Sequence, residues 1–146
     1  MTALRWKRAL TATIAVEAFS FAFAALLHTG MRPPVLPDFF HDPRIVGATL
    51  VEGLCAIVLA IAALLLGSTN RRGWPVAVSA VTFSIVADIV GMVLIALGFG
   101  PDSPFNFLFH RIGVTVLVIT LAVLLAPARP SLRIPAGGLR RVPSRH

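Results

Sequence analysis

The chain has 146 residues, 57% of them hydrophobic and only 13% charged, and its mean hydropathy of +0.88 lies far outside the balance of a water-soluble domain. A net charge of +7 and a pI near 11.7 would suit a nucleic-acid binder, but the bases flank apolar segments instead of forming a basic surface with aromatics, so no nucleic-acid partner is expected. The single cysteine, Cys55, excludes an intrachain disulfide.

The first apolar run, over residues 9–28, follows Arg5-Trp6-Lys7-Arg8 and stops before Thr29-Gly30 and the helix-hostile Arg32-Pro33-Pro34. A basic start before an apolar run also opens a signal peptide. This run is longer than such a core, contains Glu17 and ends without an A-x-A-like site, so an uncleaved first span is expected. The connection that follows carries Pro33, Pro34, Pro37 and Phe39-Phe40. It reads as a rigid connector with its phenylalanines at headgroup level, or alternatively as a lid over the bundle mouth.

The second helix is expected over residues 43–66, with Asp42 as N-cap and Pro43 as first helical residue. The third is expected over 75–97, between Gly73-Trp74-Pro75 and Gly98-Phe99-Gly100-Pro101, and the fourth over 104–126, with Ser103 as cap and Pro104 at its first position. Each is long enough for a hydrocarbon core that needs ~20 helical residues. The expectation is an all-α integral membrane four-helix bundle, up-down-up-down, forming one domain over residues 1–126. Residues 127–146 hold four prolines, two adjacent glycines and five arginines, the composition of a disordered basic tail drawn to anionic lipid.

Ten bases fall on one side of these spans: Arg5, Lys7 and Arg8 before the first, Arg71 and Arg72 between the second and third, and Arg129, Arg133, Arg140, Arg141 and Arg145 after the fourth. Arg32 and Arg44 share the other side with Asp38, Asp42 and Asp102. The positive-inside rule then places both termini in the cytoplasm, as in a multi-pass protein of a bacterial inner membrane.

Ionisable residues inside the spans are the functional candidates, because a lone acid at mid-bilayer costs ~2.5 kcal/mol or more. Glu17 shares a helical face with Ser20, Ala24 and His28, Glu52 with Ala48, Thr49, Cys55 and Ala56, Asp88 with Ser84 and Gly91, and His110 with Asn106 and Gly113. Counted from the outer helix ends at ~1.5 Å per residue, Glu17, Glu52 and Asp88 lie roughly 14–16 Å deep, His110 about 9 Å deep and His28 at the mouth. Three carboxylates at one level need protons, a protonated His110, a bound cation or the guanidinium of Arg111 to balance them, and Arg111 is expected to turn inward.

Such a cluster in a four-helix core has the make-up of a carboxylate-rich metal site. Glu17, Glu52, Asp88 and His110 would be its ligands, with Cys55 and His28 as further candidates and Asn106 and Arg111 beside them. A metal ion or metal-containing redox cofactor in a pocket open to the outer side is therefore the first reading, and a haem between His28 and His110 its weaker version. The Glu-x-x-His pair of di-iron proteins is absent. The alternatives are a proton-coupled small-molecule transporter or proton relay, and an accessory subunit or homo-oligomer within a larger membrane complex. A further alternative is that the buried polar groups only knit the helices together through hydrogen bonds. No nucleophile motif or phosphate loop specifies an enzyme.

The basic start Arg5-Trp6-Lys7-Arg8, the His28-Thr29-Gly30 end of the first helix and the glycine- and alanine-rich second helix together resemble the DoxX-like group of small four-helix bacterial membrane proteins. That resemblance implies the architecture and no catalytic residue. The segment Ile14-Ala15-Val16-Glu17 is similar to the first helix of small multidrug resistance transporters, whose embedded glutamate exchanges protons for cations, but the similarity stops at that segment.

Overall fold

The computed structural model describes residues 3–32, 34–40, 43–100 and 103–126. These residues form four helices, α1 (Ala3–Leu27), α2 (Val46–Gly67), α3 (Gly73–Ala96) and α4 (Pro104–Leu125), with one 3-10 turn at Asp38–Phe40. All four helices are long and apolar enough to cross a membrane. Asp102 and the basic segment 127–146 lie outside the described residues.

Helix α1 begins six residues earlier than the apolar run, because its basic start continues the helix. There the Lys7 ammonium donates to the Ser68 carbonyl at 2.6 Å, placing a cation on the carbonyl end of α2, where the helix dipole favours it. The other end of α1 closes as its glycine predicts: Gly30 adopts φ +84° and donates its N–H to Leu27 at 2.9 Å.

Helix α2 departs from expectation. It starts at Val46, with Ile45 extended at φ −128° and ψ 92° and no side-chain cap. Pro43 is therefore not its first helical residue, and Asp42, the expected cap, lies outside the described residues. The cause is tertiary: Ile45 donates its N–H to the His28 carbonyl at 2.9 Å, which holds the chain extended just before the helix. Helix α4 starts with Ser103, whose Oγ accepts the Asn106 N–H at 3.0 Å, and with Pro104 at its first turn.

Helix α1 packs along α2, α2 along α3 and α3 along α4, whereas α1 and α4 touch at few places. The bundle is thus open along the α1–α4 seam. Small residues let α2 and α3 approach closely: Ala62, Ala63, Ala77 and Ala80 are buried, and at Gly73 a Cβ would stand 2.3 Å from the Leu65 carbonyl oxygen.

The buried residues divide along the bundle. Leu10 and Ile14 early in α1, Leu59 and Leu66 late in α2, Val81 in the first half of α3, and Leu117 and Leu124 late in α4 make an apolar half. His28 after α1, Glu52 early in α2, Asp88 late in α3, and Asn106 and His110 early in α4 make the polar half.

Because the neighbour of Gly73 is backbone and cannot swing aside, Gly73→Ala should lower the melting temperature of the detergent-solubilised protein, at a cost of about 1–3 kcal/mol. Gly91→Ala, with nothing within 4 Å of the added carbon, should leave melting unchanged or slightly raised.

Candidate functional site

The polar half is held by two imidazole–carboxylate pairs. His28 stands where α1 ends, and its Nδ1 hydrogen-bonds Oε2 of Glu52 at 2.7 Å. His110, two turns into α4, hydrogen-bonds Oδ1 of Asp88 through its own Nδ1. The free face of that second ring turns back toward the first pair, with Nε2 of His110 4.0 Å from Oε1 of Glu52. The four side chains therefore form one line, His28, Glu52, His110, Asp88, broken by a single gap wider than a hydrogen bond. All four are nearly excluded from solvent. Oε1 of Glu52, Oδ2 of Asp88 and Oδ1 of Asn106 are buried without a hydrogen-bond partner among the described residues.

His28 is closer to the acids than its place at the mouth implies. With α2 starting three residues later than expected, Glu52 sits about 4.5 Å nearer the helix start at ~1.5 Å per residue. The imidazole then spans the rest.

Glu17 occupies a different surface of the same interior. It is buried, at 7% exposure, and lines a cavity of about 620 Å³ in the α1–α4 seam with Ala12, Thr13, Val16 and Ser20 of α1 and Phe105, Leu108, Phe109, Ile112, Gly113 and Val116 of α4. The Thr13 and Ser20 hydroxyls donate back to their own helix, to the carbonyls of Ala9 and Val16. Among the described residues Glu17 thus has no imidazole partner, and Asp88 acts on it as a like charge.

The cavity wall is aromatic, a feature that reading for ionisable residues missed. Phe40 from the loop meets Phe105 at 5.3 Å between ring centroids, Phe105 stacks on Phe109 at 5.6 Å, and Phe109 meets Phe21 edge-on at 5.8 Å. The available signal was the four-residue spacing of Phe105 and Phe109, one position before Asn106 and His110. Phe40 also contacts Phe23, so this part of the loop rests on the bundle across the seam. The side chain of Phe39 lies outside the described residues.

Two other expected members stand elsewhere. Arg111 does not turn inward: it is exposed, and its guanidinium lies over the Phe107 ring at 3.9 Å. One residue beyond His110 on a helix is a turn of ~100°, and with the imidazole facing the core the guanidinium faces out. Cys55 is fully buried and lies against Ser84, below the imidazoles.

Among the described residues no group of three or more His, Cys, Asp or Glu is placed to hold a metal ion. The reason lies in the pairing. Each Nδ1 is directed at a carboxylate, Cys55 sits deeper, and Glu17 faces the seam, so the donors do not converge on one point. The donor set does not fit a metal centre, nor does the close seating of His28 on Glu52 fit a haem between the two histidines.

Removing one member of a pair leaves the other buried and unmatched. His110→Leu should cost roughly 3–5 kcal/mol of unfolding free energy in detergent, while the double variant His110→Leu/Asp88→Leu should recover much of it. Arg111→Leu should change stability by no more than about 1 kcal/mol. No known protein family, curated protein or solved structure matches this chain.

Proposed function

We propose that the chain is a multi-pass protein of a bacterial inner membrane, both termini cytoplasmic and helices running up-down-up-down, that relays protons from the outer face to a small-ligand groove between α1 and α4. The line His28, Glu52, His110, Asp88 carries this reading. Imidazole is suited to the task because it accepts a proton on one nitrogen and releases one from the other. A proton taken up at His28 can pass to Glu52, cross to Nε2 of His110 and leave from Nδ1 to Asp88.

Each pair can hold one positive and one negative partner or two neutral ones, so the proton moves without leaving a net charge in low dielectric. The 4.0 Å gap between Glu52 and His110 is the controlled step, since the two groups must close by about 1 Å to share a proton. The ligand groove supplies the reason to move protons inward. It is aromatic, open toward lipid along the seam, and carries one acid, Glu17, that no imidazole balances among the described residues.

Protein reconstituted into liposomes with a pH-sensitive dye inside should acidify the lumen after an external acid pulse faster than empty liposomes do. His110→Gln and His28→Gln should each slow this to the background rate, and equal rates in wild type and His110→Gln would overturn the relay. Orientation is testable separately. In a Cys55→Ala background, Thr2→Cys and Ser144→Cys should react with an impermeant thiol reagent in inverted vesicles and not in intact cells with the outer membrane permeabilised.

A further inference from the structure

Helix interiors disfavour glycine by about 0.5–1 kcal/mol relative to alanine, and Gly113 sits inside α4 with no left-handed backbone angle to account for it. What it provides is a missing side chain. A Cβ at Gly113 would stand 3.4 Å from Oδ2 of Asp88, the oxygen that has no hydrogen-bond partner among the described residues. On its other side Gly113 lines the α1–α4 cavity together with Glu17. The wall between the last acid of the relay and the groove is therefore one glycine thick.

Other helix glycines do not share this placement. Gly47, Gly53 and Gly91 have nothing within 4 Å of an added Cβ, Gly67 meets Thr11, and Gly73 meets backbone. Only at Gly113, among the described residues, does the missing Cβ face a carboxylate.

We propose that Gly113 is the passage through which Asp88 shares a proton with Glu17, making the two acids one proton-binding unit that spans the relay and the groove. The proposal rests on the relay reading for its role, but the sharing itself is a property of the two acids and can be measured without proton flux. The groups around them are few. From α2, Glu52 is bonded to His28 and Cys55 lies against Ser84. On α4, His110 is held by the other Asp88 oxygen, and Arg111 is exposed on Phe107. Glu17, on α1, lines the cavity on the other side of Gly113. Two acids close together in low dielectric resist being ionised at once, and a proton held between them relieves the repulsion. Oδ2 of Asp88 and the carboxyl of Glu17 are the atoms left to hold it.

Infrared spectra of the full chain in lipid nanodiscs, recorded across a pH titration, read the C=O stretch of each protonated acid, with Glu17→Gln and Asp88→Asn assigning the bands. Sharing predicts that Glu17→Gln shifts the frequency and titration of the Asp88 band, and that Asp88→Asn does the same to the Glu17 band. Gly113→Ala, whose methyl has ordinary contact room, should weaken this mutual shift, and Gly113→Val should abolish it while helical content stays unchanged. An Asp88 band indifferent to Glu17→Gln overturns the proposal, as does a mutual shift undiminished in Gly113→Ala, which decides the matter if the valine variant does not fold. Sharing observed in a protein that conducts no protons would retain the passage and remove the relay; conduction without sharing would do the reverse.

Discussion

The constraint that orders this structure is the cost of keeping three carboxylates inside a bundle whose four helices are long and apolar enough to cross a membrane. Two of the three are met one-to-one by imidazoles, Glu52 by His28 and Asp88 by His110. These are partners that can match a carboxylate in either protonation state. A lysine or arginine would fix the charge permanently; a histidine leaves the proton free to move. The guanidinium next to His110 in the chain, that of Arg111, is turned out onto Phe107, so it supplies no fixed cation to these carboxylates.

The rest of the fold serves that balance. The apolar half, built from the start of α1 and α3 and the end of α2 and α4, packs mostly leucine, isoleucine, valine and alanine, with Thr120 its one buried hydroxyl residue on α4 among the described residues. It anchors the helices so that the opposite ends can hold ionisable groups in register. Because α1 is tied to α2 at both ends, by Lys7 on Ser68 and by Ile45 on His28, contacts outside the pair help to set the height of His28 against Glu52. Among the described residues the seam between α1 and α4 has no such hydrogen-bonded ties, and there the aromatic groove opens.

Both halves bear on function through geometry. The His28, Glu52, His110, Asp88 line has one gap, and the groove has one acid outside the pairing. A continuous hydrogen-bonded chain would conduct without regard to anything bound in the seam. Under the proposed relay, the gap beside Glu52 and the glycine beside Asp88 are the places where a small shift of α4 against its neighbours would open or close the proton path, the kind of discrete rearrangement by which packed helices respond to a ligand.

Much of this was legible in the amino-acid order. Hydropathy and length mark the four spans, Ser103 and Pro104 mark where α4 starts, Gly30 marks the close of α1, and helical period alone turns Glu17, Glu52, Asp88 and His110 inward, because a face of small and polar residues cannot be given to lipid. The start of α2 was misread because the Asp42–Pro43 signal is local, whereas Ile45 is held extended by a carbonyl seventeen residues away in the chain. Partner choice was out of reach for the same reason. Periodicity says which way a side chain points, while pairing depends on helix heights to within an ångström or two, and those heights come from contacts between helices. Only the tertiary structure could seat His28 on Glu52, send Arg111 outward, leave Glu17 facing an aromatic seam, and place Gly113 between that seam and Asp88.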